Sequence, residues 1–219
     1  MVNFLALLGW NPGNDREVMP LEELIDCFDI SRMAKSNSLF DRKKLLAFNT
    51  EHIRMVDEKT LLGHFKSYLK VTESPAAVAD DELLTKIIRA GGGARTLAEI
   101  EKKSRFLFVD NGKLQYDEKA VKKVLLKHDG LAILKIVGDR LDVLEEVTSE
   151  AIEKVLRNLA QEKEVGLGKV AQPLRVAICG TTISPPIFNS VDMLGMKNTL
   201  ARIERTLKEF GTDIKSMED

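Results

Sequence analysis

The sequence predicts an all-α, or at least mainly α, protein. Apolar residues recur at helical spacing in every third of the chain, helix-start residues stand before most of those stretches, and strand-like alternation is scarce.

Taken in order, the opening MVNFLALLGW is an apolar run stopped by Asn11-Pro12-Gly13. It reads as the interior of a packed helix with no N-cap before it, so a longer parent protein is expected. LEELIDCF follows Pro20, and SRMAKSNSLFDRKKLLAFNTEHIR reads as a helix end, a turn and a new helix capped by Ser38 or Asp41. EKTLLGHFKSYL, DELLTKIIRA and EKAVKKVLLK each follow an aspartate (Asp57, Asp80, Asp117), a residue type whose carboxylate satisfies free amides at a helix start. Thr96 and Glu99 form a capping box. RFLFVDNGKLQY reads either as a short hairpin or, through Phe106 to Phe108, as a helix end. In 151–160, Ile152, Val155, Leu156 and Leu159 share one face while Glu153, Lys154 and Arg157 point elsewhere. Pro20, Pro75, Pro173 and Pro185 suit first helical positions, and Gly63, Gly130, Gly166, Gly195 and Gly211 punctuate the chain. VTESP near 73 and KIVGDRLDV near 140 interrupt the pattern, which gives three blocks: 1–70, 71–140 and 141–219.

A chain of 219 residues with 44% hydrophobic content can bury the core of one to three compact units. Cys27 and Cys179 have no metal-ligand spacing, and nothing resembles a secretory signal, so a reducing cytoplasm is expected. No apolar run approaches membrane-spanning length. A net charge of −1 argues against indiscriminate nucleic-acid binding, so any polyanion site must come from placement rather than total charge.

Catalysis fails on inventory. His52, His64 and His128 are the only histidines and none sits in a nucleophile or metal pattern. There is no G-x-S-x-G, P-loop or G-x-G-x-x-G, and Gly91-Gly92-Gly93 lacks the strand and Lys-Ser/Thr of a phosphate cradle. RMAKS, at 32–36, is one residue from the K-M-S-K-S loop of class I aminoacyl-tRNA synthetases, but about thirty preceding residues cannot form the nucleotide-binding half that such a loop serves.

NFLALLGWNPG, MPLEELIDCFDISRMAKSNSLFDRKKLLAFNTEHIR and VGLGKVAQPLRVAICGTTISPPIF, the last followed by LGMKNTLARIERTL, together resemble bacterial-type glutamyl-tRNA synthetase from beyond its ATP-loop signature to its C-terminus. The likeness covers nearly the whole chain and is looser in the middle third. It implies a stem-contact helical region over 1–70, then a two-part α-helical anticodon-binding domain over 71–140 and 141–219. RMAKS then matches the stem-contact region, and its likeness to the ATP loop is incidental.

What the resemblance implies is anticodon recognition on glutamate tRNA without aminoacylation. ATP and Mg²⁺ would belong to a catalytic domain outside this sequence, so no cofactor is expected here. Arg157 matches a helix arginine and Arg175 the arginine of P-L-R-x-A, both of which contact anticodon nucleotides in relatives. A guanidinium pairs bidentately or stacks, which lysine cannot copy. Gln172 offers amide donor and acceptor, while Ser184, Pro185 and Ile187 match a Ser/Thr-Pro-x-apolar turn that could bond to a base and pack on it. Lys35, Ser36, Arg42 and Lys43 are candidates for the tRNA backbone.

Gly93 departs from the pattern, since members restricted to glutamate tRNA commonly carry an arginine there that recognises the third anticodon base. Such a contact is worth roughly 1–3 kcal/mol of discrimination by analogy with bidentate base readout. Its loss implies glutamine tRNA as a second partner, unless Arg95 takes over the contact. A monomer with no DNA or membrane partner is expected. The rival reading is a helical protein-interaction scaffold, or a stand-alone synthetase paralogue without RNA specificity.

Overall fold

The computed structural model describes residues 1–33, 39–127 and 129–211. Among them there is no β-strand; a single antiparallel bridge joins Trp10 and Met33. The helices are α1 (Val2–Ala6), α2 (Leu21–Cys27), α3 (Arg42–Met55), α4 (Glu58–Val71), α5 (Asp81–Ala90), α6 (Leu97–Ser104), α7 (Glu118–Ala120), α8 (Gly130–Asp142), α9 (Ser149–Glu162), α10 (Leu167–Cys179), α11 (Ile187–Leu194) and α12 (Met196–Phe210). Short 3-10 turns lie at Ile30–Arg32, Pro75–Val78 and Arg105–Phe108, and α7 runs on into a π-helical turn at Val121–Leu125.

Local chemistry sets many of the boundaries. Asp41 caps α3 by accepting from Lys43 N, and Asp57 caps α4 by accepting from Thr60 N. Thr96 Oγ1 accepts from Glu99 N at 3.1 Å as a capping box requires, but the returning Glu99 carboxylate takes Arg95 N at 2.9 Å. RFLFVDNGKLQY forms no hairpin, and Arg105–Phe108 is a 3-10 turn directly after α6.

Three sequence signals read as breaks are overruled by burial. Gly63 lies inside α4, whose Leu61, Phe65 and Leu69 keep a continuous buried stripe. KIVGDRLDV does not interrupt α8, because Leu134, Val137 and Leu141 are fully buried on one face through it. Pro173 lies within α10 rather than at its start. A proline there cannot bond back to the Lys169 carbonyl, and the fully buried Val170, Leu174 and Ala177 hold the helix across that missing bond.

Backbone contacts divide the chain into two compact units, Met1–Ala77 with Gly91–Ile100, and Val78–Ala90 with Glu101–Asp219. Neither cut placed near 70 or 140 coincides with this division. Residue 70 falls inside α4 and residue 140 inside α8, while α5 joins the second unit by packing on α11.

The first unit holds Trp10, Met19 and Leu24 in one cluster and sets Phe4 edge-on to Phe40 and Phe48 at 5.2 and 5.8 Å. The second has one core running from Phe106 to Ile203, with α8 packed on both α10 and α12. Arg202 of α12 is 1% exposed within it. Its guanidinium donates to the carbonyls of Ile178 (2.6 Å), Phe106 (3.1 Å) and Val109 (2.6 Å), and to Asn111 Oδ1 (2.7 Å). One side chain thereby ties the 3-10 turn to the C-terminal end of α10, where unpaired carbonyls favour a cation. Gly180 ends α10 at φ +74°, and a Cβ there would lie 2.0 Å from the Gln115 carbonyl oxygen.

Candidate nucleic-acid interface

The site is built on α10 and the turn that follows it. Gln172, Arg175 and Cys179 stand at i, i+3 and i+7, so they share one stripe of the helix. Arg175 Nη1 donates to Ser184 Oγ at 3.0 Å and to the carbonyls of Ser184 and Pro185, both at 3.3 Å. Ser184 Oγ in turn donates to the Pro185 carbonyl at 2.7 Å, and Ser190 of α11 reaches the same oxygen at 3.2 Å. Burial pulls the Arg175 guanidinium below its ordinary pKa.

Two polar atoms on this stripe are buried without a hydrogen-bond partner among the described residues: Gln172 Oε1, an acceptor, and Arg175 Nε, a donor. Unsatisfied groups of this kind cost roughly 1–3 kcal/mol each, and a partner reaches them only when the side chains turn outward. Gln172 also lines a cleft of about 170 Å³ with Pro173 and the lysines Lys123, Lys127 and Lys169. The π-helical turn contributes to this wall, as such turns often do at functional sites.

The structure therefore brings Gln172, Arg175, Ser184 and Pro185 together. Ile187 is corrected: it is 4% exposed and packs in the core, so its aliphatic chain does not face a base in this conformation. Pro185 is buried as well. The open apolar groups of the turn are Ile183, 66% exposed, and Pro186. Arg157 lies on α9, which packs on α10 across the connection 163–166. Arg157 is exposed and held by Glu153 of its own helix at 2.6 Å.

Gly93 and Arg95 belong to the first unit. Gly93 has φ +80° with nothing within 4 Å of a would-be Cβ, so a larger residue has room there but carries left-handed backbone strain. Arg95 is engaged by the Glu99 carboxylate through Nε (3.0 Å) and Nη2 (2.8 Å). Arg42 and Lys43 are exposed at the start of α3, where Asp41 already occupies one amide. Lys35, Ser36 and His128 lie outside the described residues. Lys123, Lys127 and Lys169 carried no mark in the sequence, because lysines on amphipathic helices read as solvated faces.

The arrangement, with polar groups on one helix stripe, an arginine-braced turn and lysines beside it, is a candidate nucleic-acid-binding surface. Residues 60–207 match the family described as the anticodon binding domain, and the chain belongs to that family. It is similar to glutamate–tRNA ligases of Thermodesulfovibrio yellowstonii (34% identity over 94% of this chain and 44% of the relative) and Corynebacterium jeikeium (34%, over 93% and 41%). A crystal structure of a glutamate tRNA ligase from Elizabethkingia meningosepticum in complex with its amino acid superposes with a TM-score of 0.81, at 26% identity, over 94% of this chain and 40% of that one. The chain thus spans less than half the length of these relatives.

Among the described residues no helix is long and apolar enough to cross a membrane, and no group of three or more His, Cys, Asp and Glu could hold a metal ion.

Proposed function

We propose that this chain reads the anticodon of glutamate tRNA as part of a cytoplasmic glutamate–tRNA ligase. Reading takes place on the stripe of α10 and the Ser184–Pro186 turn, and the chain acts as a monomer. The observation that carries this is the pair of unpartnered buried atoms, Gln172 Oε1 and Arg175 Nε, beside a braced turn. A base edge presents donors and acceptors together, so an unstacked nucleotide satisfies both atoms at once. Arg157, on the neighbouring helix, can exchange its Glu153 contact for a base or phosphate. The ATP and Mg²⁺ used in amino-acid activation are assigned to the part of the ligase outside this sequence, and none to these residues. Arg42 and Lys43, with Lys35 and Ser36, are assigned to the tRNA backbone.

Gly93 supports a second element of the proposal, acceptance of glutamine tRNA. No side chain projects from that position, and Arg95, the nearest substitute, is held by Glu99. The experiment is binding of the chain to glutamate and glutamine tRNA, and to versions with the third anticodon base exchanged, across a salt series. Anticodon-dependent binding that weakens with salt is expected, at a slope near −0.7 per phosphate neutralised. Binding indifferent to the anticodon would defeat the reading, and a hundredfold preference following C at the third base would defeat the relaxed specificity alone.

A further inference from the structure

A second cleft, of about 280 Å³, opens at the C-terminal end of α10, where Cys179 lines it. Its basic residues are Lys102 and Lys103 from α6, Arg105 from the 3-10 turn, and Lys113. Arg105 is paired at 2.9 Å with the largely buried Glu101. Lys102, Lys103 and Lys113 make no ion pair among the described residues, and no carboxylate lines the cleft. The floor is apolar, made by the buried Phe106 and Leu114, and Ile183 stands exposed at the rim. Three uncompensated ammonium groups around an apolar floor suit a ligand that is both anionic and flat, such as a nucleotide unit. An acidic peptide would not need the floor, and a lipid surface would not need a concavity.

The placement makes the match specific. Thr181 and Ile183 lead directly into the turn that Arg175 braces, and Cys179, which also lines the cleft, shares the stripe of Gln172 and Arg175. From Gln172 to Cys179 the helix advances roughly 10 Å, a distance an extended single strand covers while engaging both clefts. We propose that this cleft is a phosphate-and-nucleoside subsite for the RNA strand flanking the bases read on α10. The cations hold the backbone and Ile183 with the floor receives the adjoining ring. The inference rests on the anticodon-reading function proposed above.

The test uses the full chain and a fluorescently labelled anticodon stem-loop of glutamate tRNA, titrated from low to moderate salt. The double variant Lys102→Glu with Lys113→Glu should bind about tenfold more weakly and lose about 0.7–1.4 from the salt slope, the share of one or two phosphates. Lys135→Glu with Lys197→Glu makes the same charge change at exposed positions of the same unit and should lose less than threefold by comparison, on the order of a long-range charge effect. Lys102→Arg with Lys113→Arg, which keeps the charge, should restore binding. Equal losses in the two glutamate variants, or none in either, would overturn the subsite while leaving the anticodon reading intact. Failure of the unaltered chain to bind the stem-loop would overturn both.

Discussion

The first unit buries Trp10 with Met19 and Leu24, Phe4 against Phe40 and Phe48, and the α4 stripe of Leu61, Phe65 and Leu69, with half-exposed ion pairs such as Arg16–Glu23 at its surface. The second shares one core among α8, α9, α10, α11 and α12, and fastens it from inside through Arg202. A continuous core is stiff because each side chain in it is pinned by several helices. That stiffness lets α10 keep polar atoms buried and aimed, whereas the first unit offers Gly93, Arg42 and Lys43 at exposed or open positions. The proposed base reading rests on the former, and the proposed backbone contact and relaxed tRNA choice rest on the latter.

The sharpest way to break this comparison is Arg202→Met, which takes the guanidinium away from the carbonyls of Ile178, Phe106 and Val109 inside the core. It should cost about 3–5 kcal/mol. Hydrogen exchange should show faster opening throughout α8, α10 and α12 with the first unit unchanged, and equal loosening of the first unit would show that the two do not differ in this way.

Next in size is a pH effect confined to the second unit. Burial pushes the Cys179 thiol up to about 12, above its unfolded value near 9. Because the folded pKa is the higher, the stabilising contribution of the neutral thiol is fully present below about pH 9 and is lost as pH rises from there towards 12. The decline should approach about 1.4 kcal/mol per pH unit, and denaturant titrations of Cys179→Ala should show a shallower fall over that window.

Arg175→Lys comes third. A single ammonium cannot span Ser184 Oγ and two carbonyls while presenting an Nε donor, so stem-loop affinity should fall about tenfold with less than about 1 kcal/mol lost from stability. The smallest effect falls on the first unit. Gly93→Arg should add about a tenfold preference for C at the third anticodon base and cost about 1 kcal/mol through the positive φ, read by competition between the exchanged tRNAs and by thermal denaturation.

Helix identity was readable wherever one apolar stripe and one cap agreed, as in α3 and α4, where Asp41 and Asp57 each accept from a backbone amide. Gly63, the KIVGDRLDV stretch and Pro173 misled because local signals counted against a continuous helix that burial of the opposite face outweighed. In the proposed site, Gln172, Arg175 and Ser184 were named only through the resemblance carried by their motif. Ile187 was not placed correctly, because one apolar residue after two prolines looks the same facing a base or a core. Nothing in the sequence marked Arg202, since an arginine on an amphipathic helix is ordinarily at the surface.

By itself the sequence determined the helical class and most helix starts, because periodicity and capping act within a few residues of one another. Only the tertiary structure decided that α5 belongs with α11, that Arg202 is a buried fastener and that lysines from α6 and from near residue 113 share a cleft with the end of α10. Those outcomes depend on which faces meet across a hundred residues of chain, and burial at a distance leaves no local mark.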